Sequence, residues 1–263
     1  MKKLKTVLAA FLLLYLPLQS MAWGLLGHRI VGQIAESYLT ETARRQIRAI
    51  LGDSSMAMVS NWPDFIKSDS NYNYLYNWHF TNLDDGLGKT ELNALLLKDT
   101  AVDAYTKCLF LKEALKKKDL PRAQKLMYLK LLIHIIGDLH QPMHVGRASD
   151  LGGNRINVQW FNEPSNLHKV WDEQLVQYQE LSYTEYAAAI NHPSRQQVKD
   201  WQKQPVSEWI FESYELSRSL YKEIIHPDQK LSYRYNFQHV NELNQGLLKG
   251  GVRLAGMLNE IFK

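Results

Sequence analysis

The sequence predicts an all-α fold, a single mainly helical domain with at most a minor β-hairpin, on three observations. Apolar residues recur at three- and four-residue spacing over most of the chain, turn residues punctuate those runs, and alternation appears only around residues 155–160. Taken in order, residues 1–22 read as a secretory signal peptide: Lys2, Lys3 and Lys5 precede an apolar stretch at 7–18, followed by small residues at Ser20 and Ala22. That stretch falls short of the roughly 20 apolar residues of a spanning helix, and no later segment supplies them. The expected product is therefore cleaved at Ala22-Trp23, secreted or periplasmic, and without stable membrane association.

At 27–38, Ile30, Val31, Ile34, Ala35 and Tyr38 share a helical face, with His28 near the start. The next helix spans 40–51, with Thr40 placed to cap it and Gly52 to end it. Residues 53–85 loosen into a loop-rich stretch around Trp62 and Pro63, the kind of region where sites are often built. Helical spacing returns at 99–118, whose closing Lys116, Lys117 and Lys118 suit the negative end of a helix dipole. Pro121 opens a long helix with Leu126, Leu129, Leu132, Ile133 and Ile136 as its apolar face, reaching His140 ahead of Pro142. Gly152 and Gly153 mark a turn before one short strand at 155–160. Helices at 165–181, 184–191, 206–225 and 237–262 complete the chain.

Removing 22 of the 263 residues leaves 241, enough for one large domain at 23–263. The leader holds three of the 31 basic residues, so 28 basic residues then face 27 acidic ones. A protein that gripped nucleic acid by general phosphate neutralisation would show a basic excess. Any phosphate affinity must be local. Cys108, the single cysteine, excludes an intrachain disulfide, and its neighbours Tyr105, Leu109 and Leu111 predict a buried, inert thiol.

Two pairs carry the strongest local signal for chemistry. His134 and Asp138 lie four residues apart on an expected helix, and His168 and Asp172 repeat the spacing. Residues at i and i+4 share a face, so each pair can direct an imidazole and a carboxylate at one ion, and zinc accepts both donors. Either pair alone also fits a hydrogen-bonded core histidine. Together with His140 and His144, however, the first pair places four donors within eleven residues among apolar neighbours, where unpaired polarity is costly and metal coordination compensates for it.

These runs occur with Trp23-Gly24 and His28, Asn61-Trp62-Pro63-Asp64, Trp78-His79-Phe80, Gly152-Gly153-Asn154 and His168-Lys169-Val170-Trp171-Asp172. In that order they resemble the trinuclear-zinc, single-strand-specific nucleases and 3′-nucleotidases, whose helical architecture is shared with the zinc phospholipases C. The motifs cover 23–172, and the region after about residue 181 matches only as helical scaffold. The resemblance implies a fold of the zinc phospholipase C/nuclease type and three zinc ions. Asp64, His79, His134 and Asp138 would hold one, and His144, His168 and Asp172 a second. The third would take the α-amino nitrogen and carbonyl oxygen of Trp23, His28 and the bridging carboxylate of Asp138.

The same resemblance implies single-stranded DNA or RNA and nucleotides as substrates, cleaved to 5′-nucleotides by zinc-activated water, with removal of 3′-phosphates. It assigns Asp64 to orienting or deprotonating that water. Lys67 stands where the family often presents arginine to phosphate. Lysine keeps the charge without the planar fork, and a solvated lysine is its other reading. Asn154 is placed to contact substrate, and Phe80 either stacks on a base or packs. His140 is no family ligand and is expected to orient a ligand or carboxylate by hydrogen bonding. His192, His226 and His239 lie outside every motif, and no protein partner is implied. Three divalent ions against three aspartates would leave a charge of about +3, the local attraction that the surface lacks.

Two alternatives remain open in the sequence. A zinc phospholipase C would use the same metal residues, although Trp62 before Asp64 and the Gly-Gly-Asn triplet look more like the nuclease branch. A non-catalytic zinc protein would normally close its site with four protein ligands. His144, His168 and Asp172 supply three, which favours catalysis.

Overall fold

The apolar stripe Ile30, Val31, Ile34 and Ala35 is fully buried on helix α1 (Leu25–Ser37) of a computed structural model that describes residues 23–263. The signal-peptide reading of 1–22 and its cleavage lie outside the described residues. Helix α2 (Glu41–Leu51) begins where expected, the Thr40 hydroxyl accepting from the Ala43 amide at 3.2 Å, and ends at Gly52. The stretch expected to be loop-rich is instead a series of short helical turns: α3 (Met56–Val59), α4 (Trp62–Phe65) and two 3₁₀ segments, Ile66–Ser68 and Ser70–His79. Ser55 caps the first and Pro63 pre-sets the second, but the Asn- and Tyr-rich sequence sustains no long helix.

Helix α5 (Lys89–Leu97) was not expected. Its Glu91 carboxylate accepts from the Gly88 amide at 2.9 Å, a terminus signal without the usual Ser or Thr cap. Helices α6 (Ala104–Leu115) and α7 (Arg122–Asp138) fall within the predicted segments and pack on each other. Cys108 is fully buried on α6, and burial pushes its thiol up to about 12.

Strands β1 (Asn157–Trp160) and β2 (Glu163–Asn166) form an antiparallel hairpin with Trp160 opposite Glu163. Next come α8 (Leu167–Lys169), a π-helical turn (Val170–Gln174) and α9 (Leu175–Gln177). The helix expected from residue 165 thus starts later, because its first residues pair in the sheet. Helices α10 (Tyr183–Ile190), α11 (Arg195–Lys203) and α12 (Val206–Glu223) follow, then β3 (Gln229–Leu231) and α13 (Tyr233–Ile261). The fold is mainly helical, as predicted. The hairpin gains β3 as a parallel third strand, Val158 opposite Gln229, too short to show alternation in sequence.

The last helix packs along the first, which in turn touches α3, α7 and α10. Close approach of α13 to α1 requires Gly251, where a Cβ would stand 2.5 Å from Ile34 Cγ2. α1, α7 and the π-turn are thereby held around one polar region. No described helix is long and apolar enough to cross a membrane.

Candidate metal centre

The last turns of α7 bring His134 and Asp138 to one face, both with no exposed surface. One oxygen of Asp138, Oδ2, lies 3.2 Å from His134 Nε2 and 3.2 Å from His79 Nδ1. The other, Oδ1, lies 3.2 Å from His28 Nε2. A single carboxylate therefore faces two groups of histidines. His28 reaches it from α1 by passing over Gly137, where a Cβ would sit 2.7 Å from His28 Nδ1, and its ring stacks on His134 with centroids 3.9 Å apart. Asp64, on α4, places Oδ1 3.8 Å from His134 Nε2 and 2.7 Å from Lys67 Nζ.

A second group forms where α8 enters the π-turn. His168 Nε2 lies 2.8 Å from Asp172 Oδ2, and His144 Nε2 lies 3.5 Å from Asp172 Oδ1. The π-turn carries Asp172 itself, and such turns occur frequently at functional sites. The backbone of Asp172 also accepts from the Gly24 amide at 2.7 Å, which ties the stretch holding the buried Trp23 to this group.

Backbone carbonyls fix three of the rings. His134 Nδ1 donates to Ser60 at 2.7 Å, His144 Nδ1 to His79 at 2.6 Å, and His168 Nδ1 to Gly152 at 2.7 Å. Each ring is thereby oriented with Nε2 turned inward, the nitrogen that could ligate a cation. Gln141 accepts from the Met143 amide and donates to Asp172 Oδ1. Sequence reading passed over these partners. Carbonyls leave no signal in the side-chain pattern, whereas Gln141 had one, a polar residue inside the donor run.

Burial and mutual attraction set opposite protonation tendencies within a few ångströms. Burial would raise Asp138 and Asp172, but the adjoining histidines overcome it, holding Asp138 well below the usual carboxylate range and Asp172 at about 2. Burial, assisted by Lys67, lowers His79 to about 4. At His144 burial is outweighed by Asp138 and Asp172, and its pKa rises to about 9.

Several atoms here are buried without an aligned hydrogen bond among the described residues: both ring nitrogens of His28, both carboxylate oxygens of Asp138, Asp64 Oδ2 and His144 Nε2. Unpaired buried polar atoms are costly, and these converge. Three sets have ligand atoms within 4.8 Å of one another: His28, Asp64 and His134; His79, His134 and Asp138; His144, His168 and Asp172. Nitrogen and oxygen donors at this density fit divalent zinc-type cations.

The remaining predicted residues surround this core unequally. Phe80 is half-buried edge-on to Tyr76, and the Asn154 amide donates to the Leu151 carbonyl at 2.9 Å. Lys67 is engaged by Asp64 rather than standing apart as a solvated lysine. His140 points away from the ligand set: Nδ1 donates to Ile136 at 2.7 Å, while Nε2 accepts from Arg253, 3.0 Å away, which also pairs with Glu212 at 2.8 Å. It therefore hydrogen-bonds neither a ligand nor a carboxylate. Its backbone position beside Asp138, not its ring, makes it look like part of the site in sequence. His239 is buried against Glu223 at 2.8 Å, and His192 and His226 are exposed.

Fold and site together define a mainly helical protein that converges five histidines and three aspartates on a buried centre suited to divalent metal ions. Residues 23–263 match the S1/P1 nuclease family throughout, and the chain belongs to that family. It is 30% identical to Endonuclease 3 of Arabidopsis thaliana across 92% of this chain and 90% of the relative. Endonuclease 4 of the same plant gives 30% identity over 92% and 90%. Nuclease S1 of Aspergillus oryzae is 31% identical over 57% of this chain and 53% of its own.

Proposed function

We propose that the mature chain, residues 23–263, is an exported zinc-dependent phosphodiesterase that cleaves single-stranded DNA and RNA to 5′-nucleotides and removes 3′-phosphates from nucleotides. The observation that carries this reading is Asp138: one fully buried carboxylate, both oxygens without aligned hydrogen bonds, faced by His28 on one side and by His79 and His134 on the other. In this reading Asp64, His79, His134 and Asp138 hold one zinc, His144, His168 and Asp172 a second, and Trp23, His28 and Asp138 a third. When bound, zinc supplies Lewis-acid stabilisation of charge on phosphoryl oxygens and makes water acidic near neutral pH.

The chain's own groups supply position and proton handling. Asp64 accepts from Lys67 through Oδ1 and, besides its share in holding zinc, orients or deprotonates the attacking water. Against burial, His134 and then Lys67 hold that carboxylate ionised, and Lys67 adds positive charge where the phosphate enters. Asn154 offers an amide to the phosphate, and Phe80 stacks on the base. Gln141 fixes Asp172 from behind. Trp23 contributes through an amine that exists only after cleavage at Ala22, which links export to activation.

The test is hydrolysis by protein beginning at Trp23, supplied with zinc, offered single-stranded DNA, RNA, a 3′-nucleotide and phosphatidylcholine, with and without chelator. Cleavage of the nucleic acids, abolished by chelation and restored by zinc, is expected. Hydrolysis of the lipid alone would move the chain to the phospholipase reading, and zinc binding without turnover to the non-catalytic one.

A further inference from the structure

One face beside the centre carries aromatic rings and lysines in unbroken succession. Trp62 meets Tyr72 edge-on at 5.7 Å, Tyr72 lies near-parallel to Tyr74 at 6.4 Å, and Tyr74 meets Trp78 at 6.0 Å. Lys107 Nζ then lies 4.9 Å from the Trp78 ring centre and 5.4 Å from that of Phe110. At the other end Lys130 Nζ lies 5.1 Å from the ring of Trp62. The succession is anchored next to the centre: Trp62 stands two residues before Asp64, and Trp78 immediately precedes His79. Tyr74 and Phe110 leave 54% and 46% of their surfaces exposed.

The charges on this face are not neutralised by carboxylates among the described residues. Elsewhere Lys89 pairs with Glu208, Lys112 with Glu260 and Lys249 with Glu212. Among the described residues neither Lys107 nor Lys130 pairs with a carboxylate. The segment Ser70–His79 has no acidic residue, and α7 carries Arg122, Lys125 and Lys130 with no acid before Asp138. Exposed ring faces interleaved with unneutralised ammonium groups match a polymer that alternates bases with phosphates. Every base has a face to stack, and each phosphate can meet a cation. A lipid interface would be met by a continuous apolar face with its charges on the opposite side.

We propose that Tyr74 and Phe110, with Lys107 and Lys130, form a track that grips a single nucleic-acid strand outside the hydrolytic centre and makes the protein prefer long strands to nucleotides. This rests on the nuclease reading above. It predicts that the track sets KM for a polymer while leaving hydrolysis of a mononucleotide untouched.

The experiment compares zinc-loaded wild type with Tyr74→Ala/Phe110→Ala and Lys107→Ala/Lys130→Ala, after circular dichroism has matched their folds. Binding is read by fluorescence anisotropy on a phosphorothioate oligothymidylate of about 12 residues, within the site size of single-strand binders. Loss of the two rings is expected to weaken binding about tenfold or more. Loss of the lysines is expected to flatten the slope of log affinity against log salt by about 0.7 per lysine. KM for the unmodified polymer should rise in parallel, with kcat/KM for a 3′-nucleotide unchanged, and Tyr74→Trp/Phe110→Trp, which keeps two rings, should retain wild-type affinity. Unaltered oligothymidylate binding in both double variants would overturn the track and leave the nuclease reading standing. Failure of wild type to cleave any nucleic acid would overturn the nuclease reading, while the anisotropy arm would still report on the track. Weakened binding to phosphatidylcholine–phosphatidylglycerol vesicles with oligothymidylate binding unaltered would assign the face to lipid and overturn the proposal.

Discussion

Asp138 is the residue on which the histidines of α1, α7 and the Trp78-His79 stretch depend, because each places a ring nitrogen 3.2 Å from its oxygens. Asp138→Asn removes the charge while keeping the shape. We expect it to lower bound zinc, counted by atomic absorption, and to reduce turnover of single-stranded DNA at least about 100-fold, the upper end of what ligand-orienting residues already cost. The opposite behaviour is expected of Cys108, which is fully buried in the first half of α6 with a thiol pushed up to about 12 by burial. It should resist a disulfide-exchange reagent at pH 8 and react only on unfolding, which absorbance of the released thiolate would follow. Next to the proposed new N-terminus, a Cβ on Gly24 would come within 2.7 Å of Glu173 Cγ, so the chain is threaded tightly there. A protein with one extra residue before Trp23 is expected to lose about one zinc of three if the amine is a ligand. Unchanged stoichiometry by the same assay would remove Trp23 from the ligand set.

At the scale of elements, the pairs four residues apart were legible because helical geometry alone puts them on one face. The supports were less legible. The strand that displaces the start of the Asp172 helix depends on pairing with β1, which local spacing does not encode, and the π-turn that carries Asp172 leaves no apolar period of its own. Likewise α5 lacks a side-chain cap signal, and α11 carries mostly polar residues with Trp201 alone buried, so neither stood out by apolar periodicity. Gln141 sits where α7 gives way to the 3₁₀ turn Pro142–Val145 and joins that turn to Asp172. Gln141→Ala is expected to weaken zinc binding by about 10- to 100-fold, as loss of such a support does, with helix content unchanged. Competition with a chromogenic chelator measures the first, and far-ultraviolet circular dichroism the second.

For the whole molecule, the mainly helical class followed from periodicity spread along the chain. The meeting of residues 28, 64, 79, 138 and 172 followed only from motif order, since sequence spacing says nothing about distant segments touching. Their burial has a consequence for stability in metal-free protein. His79, lowered to about 4 from the ordinary 6.5, refuses a proton that the unfolded chain accepts, so stability rises with pH between 4 and 6.5. His144, raised to about 9, keeps a proton that the unfolded chain has released, so stability falls as pH rises from 6.5 to 9. The chelated protein should therefore be most heat-resistant near pH 6.5, with zinc raising the midpoint at neutral pH and less so in acid, where its histidine ligands take up protons, as differential scanning calorimetry would record.

The packing of α13 along α1 also fixes an order of events during biosynthesis. The segment bearing His28 is synthesised well before the helix that seats it. A contact of such long sequence separation is slow to close. A polypeptide that has not yet supplied α13 thus lacks the surface against which α1 docks, so the two helices are expected to order together and the seat of His28 to form only when both are present.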